Sequence, residues 1–395
     1  MNTSRKDFIR IAGTATGGLL LLPRFLRAMP QNAFTSSAEQ RLVVVQLNGG
    51  NDGLNTFIPY TDELYYQYRK AISIPESQVI KAAEGGMGFH PAMKGFAELM
   101  QKGYLHVIQN VGYPNPNRSH FRSQEIWQTA VDANQYRNEG WLGRYLDASA
   151  KKEVNPAALN LDSIDALSLK GENARSITLL DPSRFEQQLK RIKNNADMHN
   201  SGNSSIDFVR NLMMESVEGS KEIQSALDNT ATNQPVYPAS GLARNLQWIA
   251  RMVKGGLSTP VYYTSLGGFD THASQVGKHK QLLGELSDSL NAFYTDIASA
   301  GLAQQVTVIV FSEFGRRVKD NGSGTDHGTA APVFVLSARG KNRIIGSNPD
   351  LHNLDNGDLR YHVDFRSVYS SVLQNVFQFN ASSIGISAPP LQGLF

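Results

Sequence analysis

The stretch LVVVQLNGGNDGLN, residues 42–55, joins an apolar segment to a glycine-rich turn that carries one carboxylate. Leu42–Leu47 is rich in β-branched residues and does not alternate with polar ones, which is typical of a strand buried on both faces of a parallel sheet. The turn places Gly49, Gly50 and Gly53 around Asp52. Asp52 is either an ordinary turn former or an acidic ligand at the carboxyl end of a sheet.

Further segments of the chain resemble this first one. Apolar, β-branched runs that end in turn residues recur at Leu105–Val111, Ser176–Leu180, Val261–Leu266, Val306–Phe311 and Pro332–Leu336. Between them, Pro91–Lys102 and Gln275–Ala300 carry apolar residues at helical spacing. Strands that alternate with helices predict an α/β fold with a mostly parallel central sheet and helices on both faces.

The N-terminal segment, residues 1–38, has the order of an export signal. A basic start precedes a short apolar run, Ile11–Leu22, and a small-residue cleavage site at residues 36–38. Ser4–Arg10 resembles a twin-arginine export motif in which Lys6 stands where the second arginine belongs. We expect a periplasmic or secreted protein with one α/β domain over residues 39–395. Residues 194–235, rich in Asn, Ser and Thr, are interpreted either as a mobile, mostly helical insertion or as a plain surface excursion.

Charge and composition exclude several classes of partner. The chain has a net charge of +3, and removing the +4 of residues 1–30 leaves about −1, so no basic surface indicates a nucleic-acid partner. The 395 residues contain no long apolar stretch after the signal, so no membrane span is predicted there. Because cysteine is absent, any metal site must use oxygen and nitrogen ligands.

Groups that can bind metals or act as nucleophiles recur just after the predicted strands. They are Asp52, Ser119 and His120, Asp270 and His272, Glu313 and Arg316, and finally Asp326 and His327 just before the last strand. Taken singly, each has an ordinary explanation as a turn, a helix cap or an ion pair. Their repetition at strand ends favours a common site, because ligands gather at the carboxyl edge of such sheets.

Carboxylates and imidazoles together suit a divalent cation, here Zn²⁺, Mn²⁺, Mg²⁺ or Ca²⁺, with one or two ions per chain. Two ions can clamp the attacking and leaving oxygens of a phosphate or sulfate ester. Ser119 is the predicted nucleophile, because it follows a proline-rich turn and has His120 beside it. Arg118, Arg122 or Arg316 is expected to hold the anionic group of the substrate.

A set of motifs carries a resemblance over nearly the whole chain. They are Gly49–Asn55, Ser119–Phe121, Gly140–Arg144, Gly268–His272, Ser312–Arg316 and Thr325–Gly328. In this order they resemble the exported bacterial family called "domain of unknown function 1501" (DUF1501). That family is similar to the alkaline phosphatase and sulfatase superfamily, which implies an alkaline phosphatase-like fold and a metal-dependent hydrolase.

The resemblance implies roles for particular residues. Asp52 matches the first metal-binding aspartate of the superfamily, and Ser119 matches its nucleophile. Asp270 and His272 match a later metal-binding pair, but one residue separates them where the enzymes usually have three.

The strand-end Asp-His pair of the superfamily can be matched in two ways. If Asp326 and His327 are that pair, the preceding strand is missing. If Glu313 and Phe314 take its place, Glu313 replaces the aspartate, Phe314 replaces a histidine ligand, and His327 becomes the late histidine. We prefer the second alignment, because Glu313 directly follows a predicted strand. It implies one complete ion site from Asp270, His272 and His327, and an altered second site from Asp52, Glu313 and Ser119 or His120.

The expected function is hydrolysis of sulfate or phosphate esters, on a polysaccharide or another surface polymer. The alternative is a non-catalytic protein that binds a glycan or a partner on the same fold with a degenerate metal site. Phe314 favours the second, because a phenyl ring cannot bind a metal ion. The recurrence of Ser119 beside His120 and several carboxylates favours the first.

Overall fold

The strand Arg41–Leu47 (β1) lies inside the main sheet, and all seven of its residues are buried. Leu42 and Val44 pack into the hydrophobic core on one face of the sheet, and Val43 and Val45 pack into a second core on the other face. This two-sided burial explains why the segment is apolar without alternation. The computed structural model describes residues 40–82, 85–149, 154–163, 165–174, 176–179, 218–230, 235–340 and 343–395.

The strands that follow β1 are Phe57–Ile58 (β2), Ile80–Lys81 (β3), Gly88–Phe89 (β4), Leu105–Gly112 (β5), Ala158–Asn160 (β6), Ser176–Thr178 (β7), Val261–Leu266 (β8), Val306–Ser312 (β9), Ala331–Leu336 (β10), Ile344–Ile345 (β11) and Val363–Asp364 (β12). The main sheet has the order β11-β5-β10-β9-β1-β8-β6-β7, and β12 also pairs with β5. Among the described strands of this sheet, β10 is antiparallel to both of its neighbours and the other pairs are parallel. A small separate sheet has the order β2-β4-β3.

The helices described over their full length are Gly53–Thr56 (α1), Glu63–Tyr68 (α2), Lys94–Gln101 (α3), His120–Thr129 (α4), Trp141–Ala148 (α5), Gly241–Lys254 (α6), Gln275–Ser299 (α7) and Phe365–Asn375 (α8), with short 3₁₀ turns at Glu76–Gln78, Leu167–Leu169 and Ala381–Ile384. The described residues 218–228 are also helical. Helices α3, α6 and α7 contribute to the core on one face of the sheet, while α4, α5 and α8 contribute to the core on the other. The predicted α/β class, with a mostly parallel sheet and helices on both faces, is confirmed.

Each of the six predicted apolar segments overlaps a strand of the main sheet, with bounds that agree to within two residues. The predicted helices Pro91–Lys102 and Gln275–Ala300 are present as α3 and α7. Sequence patterns missed the short strands β6, β11 and β12, which have only two or three residues each, and could not give the reversed direction of β10.

Two predicted regions lie mainly outside the described residues. The export signal, residues 1–38, is one of them, and most of the insertion at residues 194–235 is the other. Residues 39–395 form one unit by their internal contacts. In the part of the chain that the structure describes, no helix combines the length and the apolar character needed to cross a bilayer.

Candidate metal centre

The polar motifs converge because their strands run in the same direction. Strands β1, β8, β9 and β5 all end at one edge of the sheet, and the antiparallel β10 begins there. The segment after β8 supplies Asp270 and His272, helix α4 begins with His120, and the connection from β9 to β10 supplies His327. This edge is where open α/β sheets place their ligands.

The glycine turn after β1 forms the floor of this edge. Gly49 has φ +118° and Gly50 has φ +75°, which are backbone conformations that glycine adopts without strain. A Cβ on Gly49 would overlap the backbone nitrogen of Asp270, and a Cβ on Gly50 would overlap the ring of Phe314. The turn therefore needs glycine because the Asp270 segment and the Phe314 ring pack directly against its backbone.

Three side chains meet at the centre of the edge. Asp270 Oδ1 lies 3.1 Å from His272 Nε2 and 3.2 Å from His327 Nε2, and the two Nε2 atoms are 3.0 Å apart. His120 Nε2 lies 3.6 Å from Asp270 Oδ2. Ligand atoms of His120, Asp270 and His327 all fall within 4.8 Å of one another. We refer to His120, Asp270, His272 and His327 as the histidine cluster.

Each histidine of the cluster is held through its other ring nitrogen. Nδ1 of His120 lies 2.8 Å from Glu313 Oε1, and Nδ1 of His272 lies 3.1 Å from Asp326 Oδ1. Nδ1 of His327 lies 2.8 Å from the carbonyl oxygen of Arg118. When Nδ1 of each ring donates its proton to that oxygen, Nε2 carries the lone pair, and this is the tautomer of metal-binding histidines.

Glu313 and Asp326 were predicted as metal ligands, and the structure places both behind histidines of the cluster. The Glu313 side chain is buried, and its Oε1 also accepts a hydrogen bond from the Gly49 backbone nitrogen at 2.9 Å. The hydrogen bond between Glu313 and His120 raises the pKa of the His120 imidazole, although partial burial opposes the shift. Their contacts are those of groups that orient ligands.

Arg316 was predicted to bind the anionic group of a substrate. Its side chain is buried and donates to the carbonyl oxygens of Gly50 at 2.7 Å and Thr325 at 2.8 Å, and to Asp270 Oδ1 at 2.6 Å. Partial burial opposes ionisation of Asp270, but the hydrogen bonds from Arg316 and His327, together with the charge of Arg316, outweigh it and lower the pKa to about 2. In the structure Arg316 contacts protein groups and positions an ionised Asp270.

Asp52 is not part of the cluster. It is buried, and its Oδ2 lies 2.6 Å from Nη1 of Arg69, which is itself fully buried. Gln275 donates a second hydrogen bond to the same oxygen. Although burial opposes ionisation, the charge of Arg69 and the hydrogen bonds from Arg69 and Gln275 together hold the pKa of Asp52 below its usual value. The carboxylate that the sequence assigned to a second ion thus faces an arginine from the segment after α2.

Ser119, the predicted nucleophile, is exposed at the N-cap of α4, directly before His120. Its backbone nitrogen donates to Asn117 Oδ1 at 2.8 Å, and its side chain makes no capping hydrogen bond. The hydroxyl is therefore not used to end the helix, unlike that of Ser240, which accepts from the Ala243 nitrogen at the start of α6.

Two residues contribute to the site in ways that the sequence did not predict. The ring of Phe314 is buried, with its centroid 4.9 Å from that of His120 and 4.8 Å from that of His327, so it packs against two rings of the cluster. The backbone carbonyl of Arg118 orients His327. A backbone contact of this kind leaves no signal in the residue pattern.

The donor set fits a divalent cation. His120 Nε2 is buried and has no hydrogen-bond partner among the described residues, although it faces Asp270. Three imidazole nitrogens and one carboxylate are the donors that Zn²⁺ and Mn²⁺ accept, whereas Mg²⁺ and Ca²⁺ prefer sites built from oxygen. Glu313 and Asp326 complete the second layer of contacts that such sites require.

The family model described as "Protein of unknown function (DUF1501)" matches residues 103–352, which include His120, Asp270, His272, Glu313 and His327. The chain belongs to the DUF1501 family. This confirms the resemblance expected from the sequence motifs. The match covers the strands from β5 to β11, and with them every member of the histidine cluster.

Solved structures with a similar fold have low sequence identity to this DUF1501 protein. Ps i-CgsB in complex with k-i-k-neocarrahexaose is 9% identical, with a TM-score of 0.44 over 89% of this chain and 75% of that chain. The PsFucS1 sulfatase from Pseudoalteromonas sp. is 8% identical, with a TM-score of 0.40 over 91% and 72%. A protein in the alkaline phosphatase superfamily from Vibrio parahaemolyticus is 9% identical, with a TM-score of 0.36 over 78% and 62%. No curated protein matches the sequence.

Proposed function

We propose that this protein is an exported, metal-dependent hydrolase of sulfate or phosphate esters. The observation that carries the proposal is the histidine cluster, in which three Nε2 atoms converge on an ionised Asp270 while each Nδ1 is held by an oxygen. Bound there by His120, Asp270, His272 and His327, a divalent ion would polarise the ester and stabilise negative charge on its oxygens. Export is inferred from the order of residues in segment 1–38.

Ser119 is the proposed nucleophile. Attack of Oγ on the sulfur or phosphorus atom forms a seryl ester and breaks the bond to the alcohol, which leaves with a proton. Water then hydrolyses the seryl ester, releasing the inorganic anion and restoring the hydroxyl. The free backbone N–H groups at the start of α4 favour an anion beside Ser119, because helix N-termini attract negative charge.

Contacts within the chain define the remaining roles. Glu313 and Asp326 fix the orientation of His120 and His272, and Arg316 holds Asp270 in place through a hydrogen bond to its Oδ1. One ion per chain is proposed, because the second predicted carboxylate, Asp52, is paired with Arg69.

Hydrolysis of aryl sulfates and aryl phosphates by the purified full-length protein tests the proposal. With Zn²⁺ or Mn²⁺ present, we expect turnover that is lost in Ser119→Ala and in Asp270→Ala while circular dichroism shows both variants folded. An exposed serine outside the cluster, Ser382, provides the matched control variant Ser382→Ala, which should retain activity. Absence of turnover with every ester and every divalent ion would contradict the hydrolase.

The second candidate is a binding protein on the same fold. Arg316 favours it, because the hydrogen bonds of this buried guanidinium go to the protein and leave it poorly placed to hold a substrate anion. Tight binding of a divalent ion by the cluster without turnover of any ester would support this candidate over the hydrolase.

A further inference from the structure

A cavity of about 270 Å³ lies beside the histidine cluster. Its walls come from the segment that follows β5 and from the segment that precedes β12, so it opens at the same edge of the sheet. Phe314 belongs to both features, because its ring lines the cavity and also packs against His120 and His327. A group bound in the cavity would therefore be a neighbour of a group bound at the cluster.

The inner part of the cavity is aromatic. Tyr113, Trp127 and Phe314 line it, and all three are buried, with exposed fractions of 3%, 3% and 2%. Trp127 is fixed by stacking on Phe311 and Phe365, with ring centroids 4.9 Å and 4.4 Å away. This part of the wall is therefore preformed and apolar.

The outer part of the cavity is polar and exposed. Arg360, Tyr361 and His362 form one side of it, and Asp355 lies on the same chain segment. Within the described residues Arg360 makes no ion pair, and its Nε donates to Asn353 Oδ1 at 3.2 Å. This outer part, which we call the rim, thus combines an arginine that makes no ion pair with other described residues, a carboxylate acceptor and a phenol.

The volume restricts what can enter. It lies just below the ~300–1,000 Å³ that ligand pockets usually have. One six-membered ring with its substituents fits this space, and an oligomer does not. A larger ligand would place only one of its units here.

We propose that this cavity binds a single sugar ring. The ring is the alcohol part of the anionic ester cleaved at the histidine cluster, and this inference therefore rests on the proposed function. A pyranose has a face of C–H groups that suits the aromatic wall and an edge of hydroxyls that suits a paired donor and acceptor. Arg360 adds attraction for an anionic group on that ring or on the next unit of a polymer. The specificity-determining residues of this site are Arg360 and Tyr361.

Binding of small saccharides to the full-length protein tests the inference. The probes are methyl β-glucoside, glucose 6-sulfate and glucose 6-phosphate, with inorganic sulfate and phosphate as reference ligands. We expect saturation-transfer NMR to detect methyl β-glucoside even on metal-free protein, because no member of the histidine cluster lines the cavity. On zinc-loaded protein, one hexose ester should bind about tenfold more tightly than its inorganic anion, and the two esters distinguish a sulfate from a phosphate substrate.

Variants of the rim separate the cavity from the cluster. Arg360→Ala and Tyr361→Ala should weaken binding of the hexose esters about fivefold or more and leave binding of the inorganic anions unchanged. Tyr136→Ala, which removes an exposed aromatic ring that does not line the cavity, should have no effect.

Two results would overturn the inference: no detectable binding of methyl β-glucoside, or saccharide binding that both rim variants leave unchanged. Failure of the proposed function would give a different experimental result. In that event the saccharides bind and respond to Arg360→Ala, but no ester is turned over.

Discussion

His120, His272 and His327 each present Nε2 to Asp270 and Nδ1 to an oxygen of another group. Fixing the tautomer in this way raises the basicity of a ligand and removes the cost of orienting it when an ion binds. Glu313 and Asp326 therefore influence the site by orienting the histidines, whereas their acidic character suggested that they would bind the ion directly.

Replacing these carboxylates with their amides should weaken the site without emptying it. We expect Glu313→Gln and Asp326→Asn to lower Zn²⁺ affinity by about 10–100-fold, the usual effect of losing an outer partner. Glu313→Gln should also lower the pKa of His120, which NMR titration of metal-free protein would detect. Glu76→Gln, which alters an exposed carboxylate paired with Lys81, is the matched control. Unchanged calorimetric affinity in both site variants would contradict the orienting role.

Asp52 provides a second test at this scale, because a structural ion pair and a metal ligand respond differently to mutation. Asp52→Ala leaves the fully buried Arg69 without its partner and should reduce the free energy of unfolding by about 3–5 kcal/mol. The folded variant should keep its Zn²⁺ affinity. Loss of metal binding with unchanged stability in urea denaturation would instead make Asp52 a ligand.

At the scale of elements, the turn after β1 fixes the position of the loops that it contacts. The carbonyl oxygens of Gly49 and Gly50 accept from Arg316, which also donates to Asp270, and the Gly49 nitrogen donates to Glu313. One turn thus contacts groups from the loops after β8 and β9. The apolar strand β1 ends in glycines because side chains at these positions would push the loops after β8 and β9 apart.

Gly49→Ala should disturb both stability and the site. The new methyl group meets the backbone of Asp270, and φ +118° strains any residue other than glycine, at a cost of about 1–3 kcal/mol. We expect lower thermal stability together with weaker Zn²⁺ binding. Gly267→Ala, in the loop that carries Asp270 but with open space around its Cβ position, should change neither. Equal behaviour of the two variants would contradict this role of the turn.

The fold was predictable from the sequence to the extent that burial shapes local composition. Strands such as β1 and β9 are buried on both faces, so they are apolar throughout, whereas β6 is too short to leave a pattern. The residues of the cluster were predicted because metal-binding side chains recur directly after the predicted strands. Their roles depended on distances: Arg69, 17 positions after Asp52, reaches its carboxylate, and no periodicity encodes that contact.

For the whole molecule, two buried histidines link stability to pH. Burial lowers the pKa of His279 to about 4 and that of His90 to about 4, so both are neutral when the protein is folded at neutral pH. Once unfolded, each regains a pKa near 6.5 and binds a proton below it. The stability that these groups contribute is therefore complete above about pH 6.5 and is lost as the pH falls toward 4.

Urea denaturation at pH 7 and pH 5 should reveal this dependence. At 1.36 kcal/mol per pKa unit, each histidine should cost roughly 2 kcal/mol of unfolding free energy at pH 5. His279→Asn should be less stable at pH 7, because the ring is buried and its Nε2 contacts Asn51 Oδ1 at 2.8 Å, but should lose less between the two pH values. A pH dependence identical to that of the unmodified protein would exclude His279 as a source.

X-ray absorption at the zinc edge of the zinc-loaded protein tests the central claim most directly. The histidine cluster predicts one ion per chain with three imidazole nitrogens and carboxylate oxygen at about 2.0–2.2 Å, and one imidazole fewer in His327→Ala. A zinc environment without imidazole scattering, or one that His327→Ala leaves unchanged, would contradict the account.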